Sequence, residues 1–436
     1  MQFRSSGSDI PPVSFREAVF SCLPDSGGLY VPDKTADLRQ LFLYMDENTG
    51  FPDLVASVTP SLLEGALNPV SALRVAQSAF SFEPELVRLD EDYSLLNLYN
   101  GPTGLFRDFG IAFLAAVLEE LLNSSGHLVV LSAVRGDTGV SIANAFSRRK
   151  GITSVLVYPS GPVCGLDPSD FVSSGGNIIP VQIRGTFDDC QRLVNETIRD
   201  RKFSARYSIT SANTINPGRL LPQTFYYLYA FIKIKKQISG GLAFSVPCGN
   251  FGNLVAGLYA WKFGMPVNGF IAAMNSNNAL GDLIGGKSFV PHNLINTNSP
   301  ALDVCVPSNT SRLESFYNEA PAVMRNMVYS ASVDSDLTMR TIEQVYGKYG
   351  VYIDSSTAVA YSAAAQVSAC NKWKGNVHTV VLATGHYAKE AELIRRTTGM
   401  NVTIPVSFRH PGEKVNPIAI INPDIDAFEN VIASCF

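Results

Sequence analysis

The sequence predicts an α/β protein with open, mainly parallel sheets flanked by helices, together with a small, mostly helical N-terminal domain. Three observations predict it. The runs HLVVLSAV, TSVLVYP, YSITSAN, LAFSVP, NGFIAAM and HTVVLAT are short, apolar and β-rich, as strands buried on both faces are. Helical stretches such as TGVSIANAFSRRK, TFDDCQRLVNETIRD, GRLLPQTFYYLYAFIKIKK and GNLVAGLYAWKFG separate them, and such alternation builds parallel sheets. Before about residue 95 the pattern differs and helical periodicity dominates.

In the N-terminal part, SFREAVFSCL opens on Ser14, with Glu17 three residues on, as in a capping box. PDSGGLYVPDK supplies a turn and a short extended segment, and LRQLFLYM and PDLVASVTPSLL read as amphipathic helices. The expected domains are 1–88, then a region 89–400 holding two α/β subdomains, then a segment 401–436. That last segment, with PVSFRHPGEKVNPIAIINPDID, is rich in proline and is expected to wrap the surface.

The composition narrows the function classes. A chain of 436 residues with 46% apolar and 17% charged residues is long enough for two or three packed domains. A formal charge of -4 gives no nucleic-acid footprint. MQFRSSGSDIPPVSF lacks the apolar core of a signal peptide. IAFLAAVLEELL is broken by Glu119 and Glu120 and is too short for a bilayer, so no membrane partner is expected. The seven cysteines form no CxxC pair, which suits reduced thiols and a cytoplasmic location.

Ligands of open parallel sheets bind where strands end and loops lead into helices. VPCGNFGN stands at such a junction. Gly249 and Gly252 permit close backbone approach and the following helix offers free N–H groups, which suits a phosphate or an ordinary turn equally. It is neither a GxGxxG fingerprint nor a P-loop. In AVRGDTG, Asp137 and Thr138 could contact a ligand or cap a helix. SANTINPGRLLPQ brings Asn213, Asn216 and Arg219 into one helix entry, where an arginine can grip an anion in bidentate fashion. HTVVLATGHYAKE ends a strand on Thr384, whose hydroxyl could bond a cofactor ring nitrogen; His386 reads as a loop or capping residue. No Ser–His–Asp, paired-carboxylate or metal-ligand constellation stands out.

Taken together these segments resemble threonine synthase, a pyridoxal-phosphate (PLP) enzyme with a tryptophan-synthase-β-like fold of two such subdomains. PDSGGLYVP resembles the family's N-terminal signature, NGPTGLFRDF its GPTxxFKDF lysine motif, and AVRGDTG its ATSGDTG. The segment GGNIIPVQIRGTFDDCQRLV, then SANTINPGRLLPQ near SxNSINxxRLxPQ, PCGNFGN near PSGNFGN, DVCVPSNTSRLE near VGNPSNFxR, and LATGHYAKE near LATAHPAKF follow in family order. The resemblance implies conversion of O-phospho-L-homoserine and water to L-threonine and phosphate, with PLP held as an imine by a lysine. It also implies that Gly249, Asn250, Phe251, Gly252 and Asn253 cradle the cofactor phosphate and that Thr384 faces the pyridine nitrogen. Arg135, Asp137, Thr138, Asn213, Asn216 and Arg219 would line the pocket of a small anionic ligand such as phosphohomoserine or phosphate. A monomer or homodimer is implied as well.

The departures fall where the chemistry is. In NLYNGPTGLFRDFG, Arg107 stands at the lysine position. A guanidinium stays protonated and offers no amine for an imine or for proton transfer. Val134 and Arg135 replace Thr-Ser, Cys248 replaces a serine, and Gly385 and Tyr387 alter AHP. The family's DPHxAV has become DSSTAV, with Ser355 and Ser356 for proline and histidine. Lys389 aligns with a lysine the family already has, and Lys287 lies in a loop of unassigned position. The first reading is a threonine-synthase-like protein without PLP-lysine catalysis, in which Arg107 and Arg135 bind an anion or pair with Asp108 and Asp137. The second is a working lyase of threonine biosynthesis that uses non-covalent PLP or another lysine. A different β-replacement enzyme is the third, and the N-terminal domain and GTFDDCQ argue against it.

Overall fold

Three sheets organise the chain in the computed structural model, which describes residues 1–8, 11–122, 126–161, 172, 174–278, 281, 293–370, 372–373, 375–405, 408 and 416–436. β1 (Gln2–Ser5), β2 (Val13–Ser14) and β3 (Tyr30–Pro32) form a small antiparallel sheet in the order β2-β1-β3. β4 (Glu85–Arg88) and β5 (Tyr93–Asn97) form a hairpin. β6 (Leu128–Ala133), β7 (Ile152–Pro159), β8 (Ile178–Ile183) and β9 (Ile209–Thr210) follow. β10 (Gly241–Pro247), β11 (Gly269–Met274), β12 (Val328–Ser332), β13 (Val377–Ala383) and β14 (Ala419–Ile421) complete the set. One sheet has the order β12-β11-β10-β13-β5-β4, parallel except for β4; the other is all parallel, β14-β8-β7-β6-β9.

The expected strands form because runs such as LVVLSA and VHTVVLA are buried at every position, with helices covering both faces. The α/β class therefore stands, and four features differ from expectation. The N-terminal unit is not helical throughout: a small sheet forms within its first 32 residues, where Phe3 pairs with both Val13 and Pro32. The boundary expected at 88 falls inside the β4–β5 hairpin, whose second strand pairs with β13 nearly 300 residues away, at Thr379↔Tyr93. The C-terminal segment does more than wrap: β14 extends the second sheet, and the helix Ile425–Ser434 buries Phe428 and Ile432. Finally, GRLLPQTFYYLYAFIKIKK is two helices, Pro217–Leu220 and Gln223–Ile234, because Pro222 cannot continue the first turn.

Local capping refines the picture. Ser14 accepts a hydrogen bond from the Glu17 N–H at 3.1 Å, one half of the expected box. The full reciprocal box belongs to Thr186 and Asp189, at the start of the helix Phe187–Arg199. The helices Phe51–Leu62 and Pro69–Ala79 dock on the helix Arg107–Leu121 through rings, with Phe51 at 5.4 Å and Phe80 at 5.9 Å from Phe109. That packing fixes the helix that begins with Arg107. The six described cysteines are all free thiols, and Cys164 and Lys287 lie outside the described residues. Among the described residues no helix is long and apolar enough to cross a membrane.

Candidate functional site

A cavity of about 960 Å³ opens where β6, β10 and β13 end, between the two large sheets. Arg107, Arg135, Asp137, Thr138, Asn213, Arg219, Gly249, Asn250, Gly252, Asn253 and Thr384 line it. Phe251 and Asn216 do not.

Three arginines dominate one part of the wall. Arg107 is the first residue of the helix Arg107–Leu121, where the helix dipole disfavours a cation and favours an anion. It makes no hydrogen bond or ion pair with any described residue, and its guanidinium lies 5.8 Å from the Phe106 ring. Burial lowers its pKa; Asp137 and Asp108 oppose the change and Arg135 adds to it. Arg135 lies 5.0 Å from the Phe187 ring, likewise without an ion pair. Arg219 donates to the Ala212 carbonyl, and burial followed by the charge of Arg107 lowers its pKa to about 9.

The expected pairing of Arg107 and Arg135 with Asp108 and Asp137 does not occur. Asp108 accepts instead from the Thr103 N–H at 2.8 Å, the Thr103 hydroxyl at 2.9 Å and the Ser141 hydroxyl at 2.5 Å. Asp137 accepts from Lys389 at 2.7 Å, so it provides no side-chain cap for the helix Thr138–Phe146. Lys389 also reaches the Thr103 carbonyl at 3.2 Å. Among the described residues it is the one lysine in the cavity lining, and it is ion-paired.

The GNFGN loop leads into the helix Gly252–Lys262. Phe251 takes a left-handed conformation, φ 58°, which is uncommon for a residue with a side chain, and turns its ring into the main core. Asn250 is held by the Ser308 N–H at 3.1 Å, and the Asn253 side chain donates to the Pro247 carbonyl at 2.7 Å. The Thr384 hydroxyl, at the cavity, has no hydrogen-bond partner among the described residues. His386 is a cap, as expected: its Nδ1 accepts from the Ala388 N–H at 3.1 Å.

Asn213 and Asn216 diverge although they share one loop. Asn213 clamps Ala133, accepting from its N–H at 3.0 Å and donating to its carbonyl at 2.8 Å, while still facing the cavity. Asn216 is fully buried; it donates to the Val19 and Ser211 carbonyls, each at 2.9 Å, and caps the next helix through the Gly218 N–H at 2.8 Å. Asn216→Ala is therefore expected to lower stability by about 2–4 kcal/mol, from a lost cap and unsatisfied carbonyls, measured as a shift in denaturant midpoint.

The structure also adds lining residues that the sequence did not single out. Gln223, Asp354 and Glu390 reach the cavity from three different elements. Ser356, already notable as a departure, lines it too, with its hydroxyl buried and unpartnered. Among the described residues no group of His, Cys, Asp and Glu could hold a metal.

Residues 88–385 match the family of pyridoxal-phosphate dependent enzymes. Threonine synthase of Buchnera aphidicola (subsp. Baizongia pistaciae) is 32% identical over 91% of each chain, and that of Escherichia coli K12 is 32% identical over 90% of each. The crystal structure of threonine synthase from E. coli superposes with a TM-score of 0.89 at 28% identity over the whole of both chains. PLP-bound threonine synthase from Brucella melitensis gives 0.86 at 25% identity, covering 100% of this chain and 99% of that one. Within the pyridoxal-phosphate dependent enzymes, the chain belongs to the threonine synthase family.

Proposed function

We propose that this chain binds a small anionic ligand, of the class of phosphate or a phosphorylated amino acid, in the cavity and does not carry out the family's lysine-dependent turnover. One observation carries the reading: Arg107, at the family's lysine position, faces the cavity from a helix N-terminus with no hydrogen-bond or ion-pair partner among the described residues. A half-buried guanidinium without a hydrogen-bonded counter-ion is costly, and an anionic ligand offsets that cost through charge-assisted hydrogen bonds. Arg135 and Arg219 add to the same field.

PLP supplies an electron sink at the substrate's α-carbon when bound. Its phosphate suits Gly249, Asn250, Gly252 and Asn253 at the start of the helix Gly252–Lys262, and the partnerless Thr384 hydroxyl suits its ring nitrogen. The residues fit the group as a non-covalent ligand. Among the described lining residues none fits it as an imine, because Arg107 has no free amine and Lys389 is held by Asp137. On this reading Asp137 keeps Lys389 in place, and Asn213 holds the end of β6 against the loop that carries Arg219.

Calorimetric titration with inorganic phosphate and O-phospho-L-homoserine tests the proposal. Saturable binding is expected, weakened at least about 10-fold in Arg107→Ala by loss of a charged hydrogen bond. Phosphate release from O-phosphohomoserine is expected to match the enzyme-free blank. Release above that blank from the natural chain would overturn the reading.

A further inference from the structure

Another part of the cavity wall is acidic, and the anion-binding reading does not use it. Asp354 is 5% exposed and caps the helix Ser355–Ala369, accepting from the Thr357 N–H at 3.1 Å. Glu390 accepts from the Ser355 N–H and the Ser355 hydroxyl, both at 2.7 Å. Burial raises the pKa of each, and the charge of Glu390 raises that of Asp354 further, to about 8. Neither is ion-paired with a described cation, since Lys389 turns to Asp137. The titratable groups nearby supply no fixed positive charge: burial raises the pKa of Tyr99 and lowers that of His386.

This arrangement depends on the positions where the sequence departs from the family motifs. A proline at 355 would have no N–H for Glu390, and the phenylalanine of LATAHPAKF would put no carboxylate at 390. At Gly385, where the motif has alanine, a Cβ would lie 2.7 Å from Asp354 Oδ2. The Ser356 hydroxyl lines the same cavity, 1% exposed and without a partner. An unpartnered buried hydroxyl beside an uncompensated acid pair calls for a cationic hydrogen-bond donor.

We propose that Asp354, Glu390 and Ser356 form a subsite for a protonated nitrogen, so that the cavity takes a dipolar ligand with its anion at the arginines and its N–H⁺ at the acid pair. The inference rests on the anion reading above. A bound cation favours the ionised form of both carboxyls, so a proton held by the pair leaves to solvent. The nitrogen could be an aliphatic ammonium or a pyridine ring N–H, which the test separates.

The test is calorimetry on the full chain at about pH 7, with ethyl phosphate, O-phosphoethanolamine and pyridoxine 5′-phosphate. At least one nitrogen-bearing probe is expected to bind about 10-fold or more tightly than ethyl phosphate, with a heat that varies with the buffer's ionisation enthalpy as the proton is released. Preference for O-phosphoethanolamine assigns the subsite to an ammonium, and preference for pyridoxine 5′-phosphate assigns it to a ring nitrogen. The double variant Asp354→Asn, Glu390→Gln is expected to bring the preferred probe down to the affinity of ethyl phosphate. Glu390→Gln alone is expected to keep much of the preference, because Asp354 then ionises more readily. Ethyl phosphate binding as tightly as both nitrogen probes would overturn the subsite and leave the anion reading standing. Binding of none of the three would overturn both. If the double variant does not fold, the probe comparison and proton count on the natural chain still decide.

Discussion

Arg107→Lys, incubated with PLP and reduced with borohydride, is expected to carry a pyridoxyl adduct at position 107, and the natural chain is expected to carry none. The site is arranged to favour a neutral amine there. The side chain at 107 begins a helix, where the dipole opposes positive charge, and it faces the cavity beside Arg135 and Arg219. Desolvation and like charges both lower a lysine's pKa, which is how an amine becomes nucleophilic near neutral pH. Arginine is subject to the same forces, and burial does lower its pKa, but its delocalised cation cannot give up its role so cheaply. Mass spectrometry of the reduced protein locates the adduct. An adduct on the natural chain at Lys389 would sink the argument that the ion pair with Asp137 removes that amine. Phosphate release from O-phosphohomoserine is expected to rise above the blank in the variant; a gain on the order of 10²–10⁴ would match restoration of one acid–base group. Covalent attachment without such a gain would place the remaining loss with Arg135, Ser355, Ser356 and Gly385.

Arg312→Leu is expected to be the most destabilising single change described here, by about 3–5 kcal/mol in denaturant unfolding. Arg312 has 0% exposure and no carboxylate partner among the described residues. Its charge is satisfied by carbonyl dipoles: Nε donates to Tyr30 at 2.9 Å, Nη1 to Thr214 and Nη2 to Ile215, each at 2.7 Å. Nη1 also donates to the Asn309 side chain at 2.7 Å. The residue thereby ties β3 of the N-terminal sheet to the Thr214–Ile215 wall of the cavity. Leucine would leave three buried carbonyls unpaired. Arg312→Lys is expected to recover only part of the loss, since one ammonium cannot reach the whole fork. Equal stability of Arg312→Leu and the natural chain would show that these bonds are replaced by water.

The loop motifs were legible because their order and spacing survive in the linear chain. AVRGDTG, SANTINPGR and GNFGN all reach one cavity, and strands buried at every position announce parallel sheets. Within those motifs the roles of individual side chains were not legible. Asn213 and Asn216 are the same residue type three positions apart, yet one faces the cavity and the other is consumed by Val19 and Ser211. Asp137 could have capped a helix, and only the approach of Lys389 from 252 residues away decides that it does not. The same holds for β5, which is not among the strands expected from the sequence and gains its place by pairing with β13.

By itself the sequence determined the α/β class, the family's motif order and the replacement of an amine by a guanidinium at 107. These are properties of residue type and local pattern. Tertiary structure alone decided that Arg107 and Arg135 form no ion pair with a described carboxylate, that Arg312 bridges two units, and that Asp354 and Glu390 share one corner of the cavity. Hydrogen bonds and charge pairs act over a few ångströms, and residues far apart in sequence come within that range only when the folded path of the chain places them there.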